Sequence, residues 1–200
     1  MNPIAINAFA KDQIAQIKNI CRKIRPLVVI QCTAYNHALY IKDALDGFVM
    51  QKTDFPFVAI VHDDASTDET AKIIKKYAEK YPDIILPIYE TENQYSKKNA
   101  GVGPIMNYAC KETDAKYIAI CEGDDYWIDP QKLQKQVDFL EANPNYGMGY
   151  SKILWYSQNK NKIVKTWGGP NVTFDELSVE NTVPTLTALI RASLYFDYFE

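Results

Sequence analysis

The chain has 200 residues, 47% of them hydrophobic by type, with 22 basic side chains against 25 acidic ones. That apolar share with mixed charge calls for a packed core and excludes a disordered chain. A net charge of −3 lacks the basic footprint of a nucleic-acid binder. No apolar stretch approaches the roughly 20 residues of a membrane span. Cys21, Cys32, Cys110 and Cys121 include no C-x-x-C pair, and Cys32 and Cys121 lie in strand-like apolar runs. Buried thiols in a reducing cytoplasm are therefore expected, without a disulfide framework or a zinc site.

In chain order, Ile14, Ile17, Ile20, Cys21 and Ile24 recur at helical spacing and predict an amphipathic helix over residues 4–25. Its other side carries Lys11, Lys18, Arg22, Lys23 and Arg25, which suits either a helix packed on the domain or a membrane- or partner-facing one. After Pro26, residues 27–32 read as a first buried strand that ends in Thr33-Ala34-Tyr35-Asn36. Leu39, Ile41, Ala44, Leu45, Phe48 and Val49 make a helix, and residues 57–61 a second strand ending in His62-Asp63-Asp64. Ser66-Thr67-Asp68-Glu69 reads as a capping box with Ser66 as N-cap. The helix behind it carries Ile73, Ile74, Tyr77 and Ala78. Residues 84–89 are a third strand, 90–99 a polar loop, 104–112 a helix and 117–121 a fourth strand. Asp129-Pro130 opens another helix, with Leu133, Val137 and Leu140 as its apolar face. The alternation predicts βαβ units and a parallel sheet. Beyond Pro144, strands are expected over 147–156, 162–167 and 184–190, and a short helix over 171–179.

In an open parallel sheet, ligands bind outside the carboxyl ends of the strands. Three polar groups fall there: Thr33-Ala34-Tyr35-Asn36, Asp63-Asp64 and Glu122-Gly123-Asp124-Asp125. Clustered acids at a core edge repel one another and call for a cation. Asp124 and Asp125 could hold Mn²⁺ or Mg²⁺ against a diphosphate. Asp64 could accept from a base edge, and Tyr35 could stack on a base face. Taken singly, each has an ordinary reading: Asp63-Asp64 as caps, Tyr35 as packing, Asn36 as a helix cap.

Four stretches carry a resemblance. Residues 28–36 match an opening strand and Thr-x-Tyr-Asn turn, and residues 61–68 a Val-x-Asp-Asp-x-Ser-x-Asp stretch. Residues 117–127 match the strand leading into a D-x-D motif, and residues 129–137 the helix after it. In order and spacing they resemble the family 2 glycosyltransferases of the GT-A fold. The resemblance implies an α/β fold with a Rossmann-like, mainly parallel sheet flanked by helices. It divides the chain into an N-terminal helical extension (1–26), a nucleotide-sugar-binding region (27–145) and the truncated start of an acceptor-side region (146–200). It also implies metal-assisted transfer, with inversion, from a nucleotide-diphosphate sugar, a UDP-sugar by preference, to a glycan or lipid-linked acceptor in polysaccharide biosynthesis. The implied setting is the cytoplasm, at the inner face of the membrane. By position, Thr33, Ala34, Tyr35, Asn36, Asp64, Gly123 and Asp124 would bind the nucleotide. Asp124 and Asp125, with Glu122 in third place, would hold the metal.

Two departures stand out. Glu122 replaces the first Asp of D-x-D, and no base is evident. The family's base lies on the acceptor side, so it is expected beyond residue 200, with Asp197, Glu200 and Asp175 as fallbacks. Asn107 sits where the family often has an Asn, with helix packing as the other reading. His37 is expected to start a helix rather than meet a phosphate, and His62 to pack within its strand. Trp127 is expected to anchor the helix behind it. Two alternatives compete. A fragment could hold the donor without transferring it. A nucleotidyltransferase would want a Gly-rich loop after the first strand, and residues 33–37 contain no glycine.

Overall fold

The computed structural model describes residues 6–97, 102–168 and 182–197. Strands β1 (Val28–Ala34), β2 (Phe57–Asp63), β3 (Ile85–Tyr89) and β4 (Tyr117–Ile120) run parallel, in the order β3-β2-β1-β4. β5 (Met148–Gly149) and β8 (Leu189–Arg191) extend the sheet beyond β4, with β8 antiparallel to both neighbours. β6 (Ile153–Ser157) and β7 (Lys162–Trp167) form a separate hairpin. The mainly parallel α/β sheet is the expected one. All seven residues of β2 are buried, as a strand covered on both faces must be.

The helices are α1 (Ala8–Ile24), α2 (Ile41–Val49), α3 (Thr70–Lys80), α4 (Val102–Lys111), α5 (Lys132–Ala142) and α6 (Ala192–Asp197). They cover the two faces with separate cores. Val28, Ile30 and Cys32 of β1 point to the core of α2, α3 and α5, where Phe48, Ile74, Trp127 and Leu133 pack. Val29, Val58 and Ile60 point to the core of α1 and α4, with Ile14, Ile17, Ile105 and Met106. Period-two alternation along β1 thus feeds both layers.

α1 shows how the local sequence sets an element. Asn7 caps it by accepting from the Ala10 N–H at 2.7 Å, and Arg25 ends it in the left-handed region (φ 53°) ahead of Pro26. Ala10, Ile14, Ile17 and Cys21 are buried, so the apolar stripe is used within the domain. Each of the two isoleucines contributes about 1.5–3 kcal/mol by burial, and Ile14→Asp would undock the helix. The outer face, with Lys11, Arg22 and Lys23, stays in solvent, together with Phe9 in the first turn. Among the described residues, no helix is long and apolar enough to cross a membrane.

Several expectations need correction. The strand expected over 147–156 is two strands, because Ser151 turns aside to exchange hydrogen bonds with Thr187 Oγ1. The strand expected over 184–190 begins as a 3-10 turn (Thr185–Thr187), whose Leu186 carbonyl accepts from Trp127 Nε1 at 2.8 Å. α5 begins at Lys132, since Asp129 accepts from the Gln131 N–H in a preceding turn. The helix expected over 171–179 lies outside the described residues.

Candidate nucleotide-sugar site

The carboxyl end of β1 is the hub. Its Ala34 carbonyl accepts from the Asp64 N–H at 2.9 Å, and its Thr33 carbonyl accepts from the Gly123 N–H at 2.9 Å. Two successive carbonyls therefore tie the acidic ends of β2 and β4 to one strand. Gly123 is buried there, and a side chain would meet Ala34, His37 and Ile41 at 3.0 Å. A similar close approach fixes Gly47 of α2, where a Cβ would lie 3.0 Å from the Trp127 backbone.

The turns after β1 and β2 are stitched side to side. Asn36 sits in the left-handed region (φ 55°), which its short polar side chain tolerates, and Ala65 sits there too (φ 59°). Asn36 Oδ1 accepts from the Thr67 N–H at 2.8 Å, the Asn36 N–H donates to Ser66 Oγ at 2.9 Å, and the Ala38 N–H donates to Asp68 Oδ2 at 3.0 Å. The capping box is thereby corrected. Ser66 serves the neighbouring turn, and Asp68 accepts from the Thr70 N–H at 2.9 Å to start α3. Tyr35, 45% exposed, stands beside this seam with its ring available for stacking.

Asp64 is in a different state from the one expected. It is buried, and its carboxylate accepts from the Gln94 N–H (2.6 Å), the Tyr95 N–H (3.0 Å) and Asn93 Nδ2 (2.9 Å). Three donors from residues 93–95 enclose it. As placed, Asp64 fixes a loop at the rim. Sequence reading missed this because the donors are two backbone amides and one side chain about 30 residues away. Asp63 is buried as well. Its Oδ2 accepts from the Ser66 N–H at 3.2 Å, its Oδ1 has no partner, and burial pushes its carboxyl upward.

The acidic loop behaves otherwise. Glu122, Asp124 and Asp125 accept no hydrogen bond at their carboxylates among the described residues. Glu122 and Asp124 are exposed, and Asp125 is half-buried. Burial, then the charges of Asp124 and Glu122, pushes Asp125 up to about 6. Burial and Asp124 also raise Glu122, although its side chain reaches the surface. His37 Nε2 lies 4.0 Å from Asp124 Oδ2, while His37 Nδ1 is buried without a partner. The His37 carbonyl accepts from the Tyr40 and Ile41 N–H groups, which is its expected helix-start role. Behind the loop, Trp127 is buried edge-on to Phe48, its centroid 5.2 Å away, as expected for an anchor. Lys132 Nζ sits 4.0 Å from the Trp127 ring centroid, and burial lowers that amine to about 7.

The structure thus brings Thr33, Ala34, Tyr35, Asn36, Gly123, Asp124 and Asp125 to one end of the sheet, with Asp64 beneath its rim. Among the described residues, it brings no further acid there from the acceptor side. α6 starts where the Ala192 N–H meets the Lys116 carbonyl, at the opposite end of β4 from the acidic loop. The Asp197 side chain, Asp175 and Glu200 lie outside the described residues. Asn107 Oδ1 lies 3.0 Å from the Tyr195 hydroxyl, which also meets Gln31 Oε1 at 2.7 Å, so Asn107 has a packing role. Among the described residues, no three acidic, histidine or cysteine side chains converge to hold a metal unaided. Asp124 and Asp125 still fit a hard divalent cation in kind, as oxygen donors without competing hydrogen bonds, provided a ligand supplies further oxygens.

A model of the glycosyl transferase family 2 matches residues 29–188. The chain belongs to that family. α1 precedes the matched segment. The uncharacterized protein Rv1520 of Mycobacterium tuberculosis is 45% identical over 168 residues, covering 82% of this chain and 46% of the relative. The poly(ribitol-phosphate) beta-N-acetylglucosaminyltransferase TarS of Staphylococcus aureus is 30% identical over 164 residues, 80% of this chain and 24% of TarS. Two solved structures share the fold. TarS in complex with UDP-GlcNAc has a TM-score of 0.57 at 22% identity, covering 86% of this chain and 47% of that one. The mannosyltransferase PcManGT of Pyrobaculum calidifontis, in complex with GDP-Man and Mn²⁺, has a TM-score of 0.58 at 21% identity, covering 96% and 57%. The chain spans about half the length of its 45%-identical relative. Its fold is that of the GT-A glycosyltransferases, as the sequence motifs led us to expect.

Proposed function

We propose that this family 2 chain forms the donor half of a glycosyltransferase that moves a sugar, with inversion, from a nucleotide-diphosphate donor to a glycan or lipid-linked acceptor. The observation that carries the reading is the state of Asp125. It is a half-buried carboxylate held at about 6 by burial and two like charges, with no hydrogen-bond donor to relieve it. A site so uncompensated, where the β1 and β2 turns converge, suits a cation and the anionic group that cation binds. Asp124 and Asp125 hold Mn²⁺ or Mg²⁺ in this reading, with Glu122 in reserve. The metal supplies Lewis-acid neutralisation of charge on the departing diphosphate. Thr33, Ala34, Tyr35 and Asn36 frame the base and ribose, with Tyr35 as the stacking face and the 93–95 loop as a wall held by Asp64. UDP is the preferred nucleotide, supported by the UDP-GlcNAc bound to TarS. The GDP-Man bound to PcManGT makes GDP the first competitor to test.

The base that deprotonates the acceptor hydroxyl comes from the acceptor side in our reading. The span of about half a relative favours a second reading for this chain by itself: it binds donor and transfers nothing. We assign the protein to the cytoplasm, at the inner membrane face. Four buried free thiols and the basic outer side of α1 support that setting. Calorimetry with UDP and GDP, with Mn²⁺, with Mg²⁺ and without metal, tests the site. Metal-dependent UDP binding is expected, and no nucleotide binding under any of these conditions would sink the reading. Release of UDP from UDP-sugars, with and without acceptor, separates transfer from binding.

A further inference from the structure

We infer that α1, although it precedes the segment that the family model matches, is a working part of the donor site: Asn7 and Glu90 latch it to the 93–95 loop. This inference rests on the donor-site reading above. Glu90 follows β3 and has its side chain almost wholly buried, 1% exposed. Its Oε2 accepts from Asn7 Nδ2 at 2.8 Å and from Gln94 Nε2 at 3.3 Å. Gln94 Nε2 also donates to the Glu92 carbonyl at 2.7 Å, and the Gln94 N–H donates to Asp64 Oδ1 at 2.6 Å. The path from helix to rim is continuous: Asn7, Glu90, Gln94, Asp64.

Asn7 does two jobs with one amide. Its Oδ1 caps α1 through the Ala10 N–H, and its Nδ2 holds Glu90. Six residues along, Gln13 pairs with both backbone groups of Tyr89: Nε2 donates to the carbonyl at 3.0 Å, and Oε1 accepts from the N–H at 2.9 Å. β3 is the sheet's edge strand, and Gln13 closes that edge as a neighbouring strand would. α1 is thus tied to the residues just before the rim loop, beyond its apolar packing.

A second observation points to the same place. His62 is fully buried, with Nε2 3.6 Å from Glu90 Oε1, and neither ring nitrogen nor that oxygen has a hydrogen-bond partner. Buried polar atoms without partners are costly, and apolar side chains of the same size would fill this volume more cheaply. Beside them, the bonds from Asn7 and Gln94 to Glu90 Oε2 hold one arrangement where an apolar cluster would slide. The cluster lies between α1 and the strand end that carries Asp63-Asp64. Glu90 is therefore a positioning residue for the base end of the donor, acting through Gln94 and Asp64 and touching no substrate itself.

The test separates capping from latching. Asn7→Asp keeps a good N-cap acceptor but replaces the donor to Glu90 with a second carboxylate. In the free protein, hydrogen exchange at the Gln94 and Tyr95 amides should quicken at least tenfold while α1 stays helical. With Mn²⁺, UDP affinity should fall about tenfold and pyrophosphate affinity should not move. Glu90→Ala should behave the same way, and Glu90→Gln, which keeps an acceptor oxygen, should restore most of both readouts. If Asn7→Asp does not fold, Asn7→Ser, which caps without the charge, carries the same measurements. Unchanged exchange at Gln94 and Tyr95 would overturn the latch, as would equal losses for UDP and pyrophosphate. The exchange readout needs no nucleotide, so failure of the wild type to bind UDP would remove the donor-site reading while leaving the latch measurable.

Discussion

The chain carries the same dipeptide at the carboxyl ends of the two strands that flank β1, Asp63-Asp64 at the end of β2 and Asp124-Asp125 in the loop after β4, and Asp64 and Asp125 live in opposite states. Asp64 is buried with three donors on its carboxylate. Asp125 is half-buried with none, and burial and its acidic neighbours raise it to about 6. One anion is neutralised by the protein's own N–H groups and stabilises the fold. The other is left uncompensated, so its interaction energy remains for a ligand. The difference lies in whether another segment closes over the acid, and not in residue type or strand position.

Removing each acid should separate the two states. Asp64→Ala leaves the amides of Gln94 and Tyr95 and the side chain of Asn93 without their acceptor. The expected loss is about 1–3 kcal/mol, the cost of orphaning the one fully buried donor, the Gln94 N–H, read by urea denaturation. UDP binding should weaken more than pyrophosphate binding, because the rim moves and the acidic loop does not. A stability change below about 0.5 kcal/mol would mean that the loop is held elsewhere. Asp125→Ala should do the reverse. Metal-dependent UDP affinity should drop at least tenfold, about 1.4 kcal/mol, with stability unchanged or raised, since one repelling charge is gone. Full UDP affinity in that variant would take Asp125 out of the site.

How much of this was legible follows from the range of the interactions involved. The βαβ order and the three acidic or polar strand ends were readable because each rests on local periodicity. The GT-A identity was readable because its motifs fall at those ends. The loop partners of Asp64 were not readable, because they come from residues 93–95. Ser66 was misread as an N-cap because the Asn36 N–H, across a turn seam, competes for its hydroxyl. The strand expected over 184–190 gave way to a 3-10 turn because Trp127 Nε1 takes the Leu186 carbonyl. In each case a contact between distant segments overrode a sound local signal. β7 lies where a strand was expected over 162–167, yet Leu154, Trp155, Tyr156, Ile163 and Val164 of the β6–β7 hairpin stay in solvent, so its strands follow no inside-outside pattern.

The pH dependence sharpens the contrast. A carboxyl raised to about 6 in the folded chain is protonated there while the unfolded one, near 3.8, is already ionised. Its contribution to stability is therefore fullest below pH 4 and is lost as pH rises through 6. Cation binding must displace that proton, so Mn²⁺ affinity should climb as pH rises from about 5 to 7 and then level off. The slope approaches tenfold per pH unit below the pKa. Calorimetric titrations at pH 5, 6 and 7 measure it, and a flat profile would place the cation on other groups. Asp125→Asn should abolish the climb and give a slightly higher melting temperature at pH 7 without metal.

The smallest effect is expected inside the buried pair itself. Asp63 has one carboxylate oxygen on the Ser66 N–H and the other without a partner, and burial raises its pKa. Asp63→Asn keeps an acceptor for Ser66 and removes a charge that gains little from its surroundings. The change should stay within about 1 kcal/mol, in the stabilising direction near pH 7. The pH slope supplies the sign. Folded Asp63 holds its proton longer than the unfolded residue, so its ionisation erodes stability as pH rises past the ordinary carboxylate range, and the Asn variant lacks that erosion. Denaturation midpoints for both proteins at pH 4 and pH 7 should diverge toward the variant at the higher pH. A destabilisation as large as that of Asp64→Ala would mean that Asp63 shares its neighbour's task, and that burial alone, without the count of donors, separates the β2 acids from those after β4.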